Sequence, residues 1–370
     1  MEDEPDVLYF DLISTNFIST TGRIPYAEYN QSRTIPYLKN PSKYYGAVTQ
    51  FTINNTSVPV LNPEIQINQP DINLTIYTVS LQYNNVSFTV PVIYTPQNLL
   101  APIPLPPTSY ADGLPFYLDG YYSIYNYKFF NAMVNTAFSS AWNSLKTVFG
   151  SLPNVDAPII SYNPITQLFS IIVDNDIFTD NGSAPYVSIY MNGPLFHLYS
   201  FLPSQSTLLE GITAEKLYIT NNTGVFDSTT NLRNVPQELP SINLWSPADS
   251  IVITSAFLPV QNVLIATPQL YFNNQSFIIS QITNSLTQPI LIEYSVSDNI
   301  YTKTINYLPT AQLQFFDLLD SQPLYNIDFK FYYRTKSGTL YPLYLNSGAS
   351  CSVKLGFFKK DKFSHLKSIK

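Results

Sequence analysis

The chain has 370 residues, of which only 12% are charged, against 29 tyrosines, 24 phenylalanines and 29 prolines; an average globular protein is about 25% charged. A net charge of −7 excludes a broadly basic nucleic-acid binder, one cysteine excludes a disulfide scaffold, and two histidines leave too few ligands for a closed structural zinc site without carboxylates. The hydrophobic fraction of 45% suffices to fold the whole length, which at this size favours two domains or one two-part architecture.

The N-terminus, Met1-Glu2-Asp3-Glu4-Pro5-Asp6, is acidic and lacks the apolar core of a signal peptide. No run of 18 apolar residues follows anywhere, so no helix is expected to cross a membrane. Strands are predicted at Val7–Ile13 and Ala47–Ile53. The clearest local signal spans Ile72–Tyr94, where two runs of β-formers flank Asn84-Asn85. Asparagine tolerates the left-handed backbone of a tight primed turn, so this is a β-hairpin. The prolines between Pro96 and Pro115 exclude a central strand and predict an extended surface loop. Tyr127–Phe149 holds neither proline nor glycine, and Phe130, Val134, Ala137, Ala141, Leu145 and Val148 recur at three- and four-residue spacing. That spacing predicts one amphipathic helix, stopped by Gly150 and Pro153.

Further hairpins are predicted at Ile159–Tyr162 with Leu168–Val173, and at Ile327–Tyr333 with Leu340–Leu345. Asp174, Asp176 and Asp180 gather in one loop and are a weak calcium candidate, without the spacing of an EF-hand. A short helix is expected after Asn192-Gly193-Pro194. It carries His197, whose apolar neighbours suggest a structural side chain. Pro203–Pro247 has the weakest periodicity, with a strand at Leu217–Thr220. Other strands are predicted at Tyr186–Tyr190, Ser250–Thr254, Val263–Thr267, Ser276–Ile282, Ile290–Val296, Tyr301–Tyr307 and Ser352–Phe358, the last of which adjoins Cys351, itself read as a small strand residue. About fifteen short strands between Pro, Asn and Gly turns read as an all-β protein of sandwich or barrel type.

No nucleophile elbow, phosphate-cradling loop or dinucleotide fingerprint is present. A glycosidase pair could in principle be drawn from Glu210, Glu215, Glu293, Asp317 and Asp320, but nothing selects one. No enzyme activity and no cofactor are expected. Trp142 falls in the helix; Trp245 is either an exposed loop residue or a buried anchor. The C-terminal tail is locally basic, with Lys359, Lys360, Lys362, Lys367 and Lys370 against Asp361, and is a candidate contact for a genome or another anionic partner. A body so poor in charge and rich in aromatics matches the composition of interface cores and suggests packing against neighbours.

These features together resemble a viral capsid protein of the jelly-roll class. The points of likeness are the many short strands, the low-charge Asn/Tyr/Pro-rich body, the Pro96–Pro115 loop, the single long helix and a closing strand pair at Leu340–Leu345 and Cys351–Phe358. The resemblance implies self-assembly with identical subunits and other capsid proteins in a virion. Its double jelly-roll version, two sandwiches forming a homotrimeric capsomer, fits the length best. A single jelly-roll, vertex or minor capsid protein is one alternative, and a fibre or adhesin-type β-sandwich that binds carbohydrate or receptor is another. The domains expected are a sandwich over 1–205, a connection over 206–247, a second sandwich over 248–358 and a basic tail over 359–370.

Overall fold

The computed structural model describes residues 5–363, apart from 17–24, 98, 100, 102, 108–119, 183–184, 261–263, 268–285, 297–303, 310–312, 337 and 339. The chain begins with strands β1 (Val7–Thr15), β2 (Glu28–Ser32) and β3 (Tyr44–Asn54). There follow β4 (Leu74–Tyr83), β5 (Val86–Ile93), helix α1 (Tyr127–Val148), β6 (Ile159–Asn163), β7 (Leu168–Asp174), α2 (Asn175–Phe178), β8 (Ser188–Asn192), α3 (Gly193–Leu198), β9 (Ser204–Leu209), β10 (Ile212–Leu217), β11 (Val225–Asp227), β12 (Leu232–Pro236) and α4 (Ile242–Trp245). The last group is β13 (Ala248–Thr254), β14 (Leu264–Thr267), β15 (Leu286–Ser295), β16 (Thr304–Tyr307), β17 (Phe315–Asp317), β18 (Asn326–Thr335), β19 (Leu340–Pro342) and β20 (Ser350–Lys359).

The protein is an all-β jelly-roll structure which, among the described residues, has two sandwiches, four sheets and one long helix. In the first sandwich, one sheet runs β1-β20-β3-β16, with β17 also on β3, and the other runs β14-β15-β13-β18, with β2 and β19 on β18. Number its principal strands in chain order as β1, β2, β3, β13, β15, β16, β18 and β20. The first, eighth, third and sixth then form one sheet, and the second, seventh, fourth and fifth form the other. That interleaving is the double Greek key of a jelly roll.

The second sandwich is inserted between the third and fourth of those strands. Its sheets run β5-β4-β8-β10-β9 and β11-β12-β7-β6, with α1 packed on β4, β5 and β6. The strand pairings run between distant parts of the chain. β1 and β3 pair with β20, more than 290 residues away, and one core buries side chains from Leu61 to Trp245 while the other joins Leu12–Val58 to Ala248–Phe357. Residues 206–247, expected as a connection, supply β10, β12 and the buried Trp245.

Local chemistry accounts for the elements. Asn84 and Asn85 both take positive φ (49° and 64°) between β4 and β5, as the hairpin reading requires. Asn126 caps α1 by accepting from the Lys128 amide at 2.8 Å. Phe130, Val134, Ala137, Ala141 and Leu145 are buried. Val148, in the last turn of α1, is exposed. Asn192 caps α3 through the Leu195 amide and also bonds both ways to β4, donating to the Ile76 carbonyl at 2.7 Å and accepting from the Thr78 amide at 3.0 Å. One side chain thus sets the helix start and the helix–sheet register. The Ser276–Ile282 strand lies outside the described residues.

The jelly-roll core buries groups that resist ionisation. Burial pushes the Cys351 thiol and the Tyr341 hydroxyl each up to about 12, because neither anion is solvated there. The folded chain then keeps these protons at pH values where the unfolded chain loses them. Their contribution to stability is full below about pH 9 and is lost as pH rises towards 12. The urea midpoint, followed by far-ultraviolet circular dichroism, is expected to stay level from pH 7 to about 9 and fall steeply between about 10 and 12. A level midpoint up to pH 12 would contradict this.

Candidate assembly surface

The jelly roll has two ends, separated by the roughly 30 Å length of its strands. The insert leaves one end, after β3 and before β13. There the Asn62 amide donates to the Tyr333 hydroxyl at 3.0 Å, and the Tyr344 ring lies where a side chain on Gly120 would meet it at 3.2 Å. The opposite end is made by three loops: 33–43 before β3, 255–260 after β13, and 318–325 before β18.

These three loops are tied to one another through the backbone. The Arg33 amide donates to the Tyr325 carbonyl at 3.0 Å, the Tyr37 amide to the Leu324 carbonyl at 2.7 Å, and the Leu319 amide to the Pro259 carbonyl at 2.9 Å. Val260 bridges to Leu318. Asp328, buried at the start of β18, accepts from the Ser255 hydroxyl and from the amides of Ala256 (2.8 Å) and Phe257 (3.0 Å). A carboxylate between Ile327 and Phe329 is expensive to bury unless such donors surround it. Here it pins the loop that carries Phe257.

On these fixed loops, large apolar side chains point outward. Ile35 is 75% exposed, Leu319 54%, Tyr325 44% and Phe257 43%. Single exposed apolar residues are ordinary, but a group of them on adjoining rigid loops marks a contact surface. Sequence reading missed this collar. Each residue sits alone in a turn, and only the jelly-roll topology brings 35, 257, 319 and 325 to one end.

The basic segment begins at the same end, and it is partly built into the fold. Lys359 is the last residue of β20 and pairs with Asp6 at 3.8 Å. Lys360 pairs with Asp317 at 3.0 Å and donates to the carbonyls of Ser42 (2.7 Å) and Leu318 (3.2 Å). These two are anchors within the chain. Lys362 is exposed, and Lys367, Lys370 and His365 lie outside the described residues.

The other candidates are distributed rather than gathered. Asp174 caps α2 through the amides of Asp176 and Ile177, and Asp174 and Asp176 share the amide of Asn231 at 3.3 and 3.0 Å. Asp180 instead accepts from the Gly182 amide in its own turn. Among the described residues, no group of three His, Cys, Asp or Glu side chains is placed to hold a metal ion, and Asp174 serves as a helix cap. Glu210 accepts from Ser87, Glu293 accepts from Ser250 and forms an ion pair with Arg334, and Asp317 pairs with Lys360. His197 is exposed on α3 rather than buried as its neighbours suggested. Trp142 and Trp245 are both buried in the insert core.

Charge is unevenly divided. Residues 61–245 carry twelve acids against four bases, whereas the remainder carries thirteen acids against fourteen bases. The ion pairs Lys330–Glu28, Arg334–Glu293, Lys354–Asp11, Lys359–Asp6 and Lys360–Asp317 all lie in the jelly roll. The insert is thus the acidic body. It also carries an apolar cavity of about 340 Å³ between edge strand β5 and α1, lined by Val90, Pro91, Ile93, Phe129, Met133 and Ala137 among others.

Jelly-roll strand order, a rigid apolar collar and a charge-poor body define a capsid subunit. The chain belongs to the Sputnik minor capsid protein V18/19 family, whose model matches residues 8–360. It is a viral structural protein of the virion capsid. Over 157 residues it is 32% identical to the uncharacterized protein V18 of Sputnik virophage, a match covering 42% of this chain and 91% of that protein. Its fold resembles a chain in the 3.5 Å cryo-EM structure of the Sputnik virophage, with a TM-score of 0.70 and 24% identity over 97% of this chain and 99% of the other. It also resembles the selenomethionine-labelled mavirus penton protein, with a TM-score of 0.57 and 14% identity over 96% and 99% of the two chains.

Proposed function

We propose that this chain is a vertex subunit, five copies of which join one another and the surrounding capsid proteins through the apolar collar. The carrying observation is the collar itself: Ile35, Phe257, Leu319 and Tyr325 are exposed together on loops that hydrogen bonds hold rigid. Rigid apolar side chains lose little entropy on association and are the usual anchors of an interface. The fivefold reading is supported by the shared fold with a penton protein; the homotrimer implied by the resemblance to double jelly-roll capsid proteins is the competing arrangement. The role is structural rather than catalytic. In support, the carboxylates that invited an enzymatic reading serve as turn, strand and ion-pair partners on separate elements. We also propose that the two sandwiches are separate folding units, one over 61–245 and the other over the remaining segments; the two cores, which share no buried residue, support this.

Light scattering tests the assembly. Purified protein is expected to show a mass five times the 41.8 kDa chain; three times that mass would restore the trimer. The double variant Ile35→Glu, Leu319→Glu places charge on exposed positions and is expected to keep its melting temperature. Its self-association should weaken by about thirtyfold or more, the effect of losing hot-spot contacts of roughly 2 kcal/mol. Undiminished association would move the contact surface elsewhere.

A further inference from the structure

Lys360 directly follows β20 and carries its pairing with β3 one step further, the Lys360 amide donating to the Lys43 carbonyl at 2.8 Å. Its ammonium ends among three acceptors: Asp317 Oδ1 at 3.0 Å, the Ser42 carbonyl at 2.7 Å and the Leu318 carbonyl at 3.2 Å. A lysine ammonium has three N–H donors and no acceptor, so donors and acceptors match one for one. The face of the Tyr45 ring lies 5.4 Å from the same nitrogen and adds a favourable cation–π contact. The Lys360 side chain is only 26% exposed, so water and salt screen these bonds less than those of a fully solvated lysine.

The acceptors belong to the collar. Ser42 lies in the 33–43 loop that presents Ile35, and Leu318 opens the 318–325 loop that presents Leu319 and Tyr325. Asp317 ends β17 immediately before that loop. The third loop is reached through Leu318, which bridges to Val260, while the adjoining Leu319 amide donates to the Pro259 carbonyl. One ammonium therefore ties the end of β20 to two collar loops directly and to the third through its neighbour. Lys362, two residues further on, is exposed.

We propose that Lys360 is a positioning residue for assembly, its ammonium holding the collar loops in the arrangement that presents Ile35, Phe257, Leu319 and Tyr325 together. The proposal rests on the collar reading above, and it gives this lysine a task other than contact with a genome or an anionic partner. Two carbonyls and a carboxylate around one nitrogen are fully satisfied by a charged primary amine. A guanidinium keeps the charge, but its donors are spread over a planar fork and do not converge on three acceptors from a single atom. Methionine offers an unbranched stem and none of the bonds.

Hydrogen exchange read by mass spectrometry and self-association read by light scattering test this on the full chain. In Lys360→Met, peptides covering 33–43 and 318–325 are expected to exchange about tenfold faster in the dissociated protein, as charge-assisted bonds are lost. Peptides from β4 and β8 in the insert should be unchanged. Self-association should weaken about tenfold, because loops that were already fixed must now be ordered on binding. Lys360→Arg should recover only part of both effects, and Lys362→Met should show neither. Unchanged loop exchange in Lys360→Met would overturn the proposal. So would an equal loss of association in Lys362→Met, which would make tail charge the cause, or full recovery by arginine, which would make charge alone sufficient. Faster loop exchange with undiminished self-association would uphold the tie between the loops and overturn the collar as the contact surface.

Discussion

Replacing Trp245 with alanine is expected to unfold the insert while leaving the jelly roll folded. Trp245 ends the short helix α4 and is 2% exposed. Its indole N–H donates to the Leu198 carbonyl, and its ring stacks on Phe169 at 4.8 Å and meets Tyr127, Phe130 and Tyr199 edge-on at 5.3–5.4 Å. Those contacts join α1, β7, α3 and α4, so one side chain closes the aromatic centre of the insert. Truncation leaves a cavity among large rings that cannot collapse, at a cost of about 3–5 kcal/mol. Scanning calorimetry should show the transition of the insert lowered by several degrees or lost, with the jelly-roll transition unmoved. If both sandwiches lost stability together, the proposal that they fold separately would fail.

Asp328→Ala is expected to act on the other unit. The carboxylate holds the Ser255 hydroxyl and two loop amides, and bonds to an ionised acceptor are worth roughly 1.5–3 kcal/mol each in the best cases. Alanine removes all three together, and with water re-solvating part of the freed loop donors the loss in the jelly-roll transition is expected to be about 3 kcal/mol or more. The same loop carries Phe257 in the collar, so self-association should weaken even in conditions where the variant remains folded. Asp328→Asn keeps the shape and one acceptor oxygen, and should fall between wild type and alanine in both readouts. An alanine variant with unchanged stability would show that the loop is held by its backbone bonds to 318–319 instead.

Much of the fold was legible because the relevant physics is local. Asn84-Asn85 announced a primed hairpin turn because asparagine accepts positive φ, and the spacing of Phe130, Val134, Ala137, Ala141 and Leu145 announced a helix face whatever it packs on. The strands missed between 204 and 236 are the contrasting case. β9, β11 and β12 are short and mostly exposed, so their sequence carries little alternation, and pairing of β9 with β10, β12 with β7 and β11 with β12 makes them strands. The low charge and aromatic wealth also pointed to a chain that packs against neighbours, since they are properties of the whole composition rather than of any one element.

The site was less legible, for a topological reason. The basic tail was visible as a charge run, but nothing in residues 359–362 said that Lys359 and Lys360 would be tied to Asp6 and Asp317. Asp328 was not singled out in the sequence, because the partners that give it a role lie over 70 residues away.

What the amino-acid sequence determined by itself was an all-β, charge-poor chain with one amphipathic helix, since side-chain period, turn chemistry and composition act within a few residues. Only the tertiary structure decided that the second sandwich interrupts the first, that the start of β1 lies beside the end of β20, and that four scattered apolar residues form a collar. Those outcomes depend on which strands pair across hundreds of residues. Strand pairing is set by the joint burial of both sheets, and no local window of the chain contains both partners.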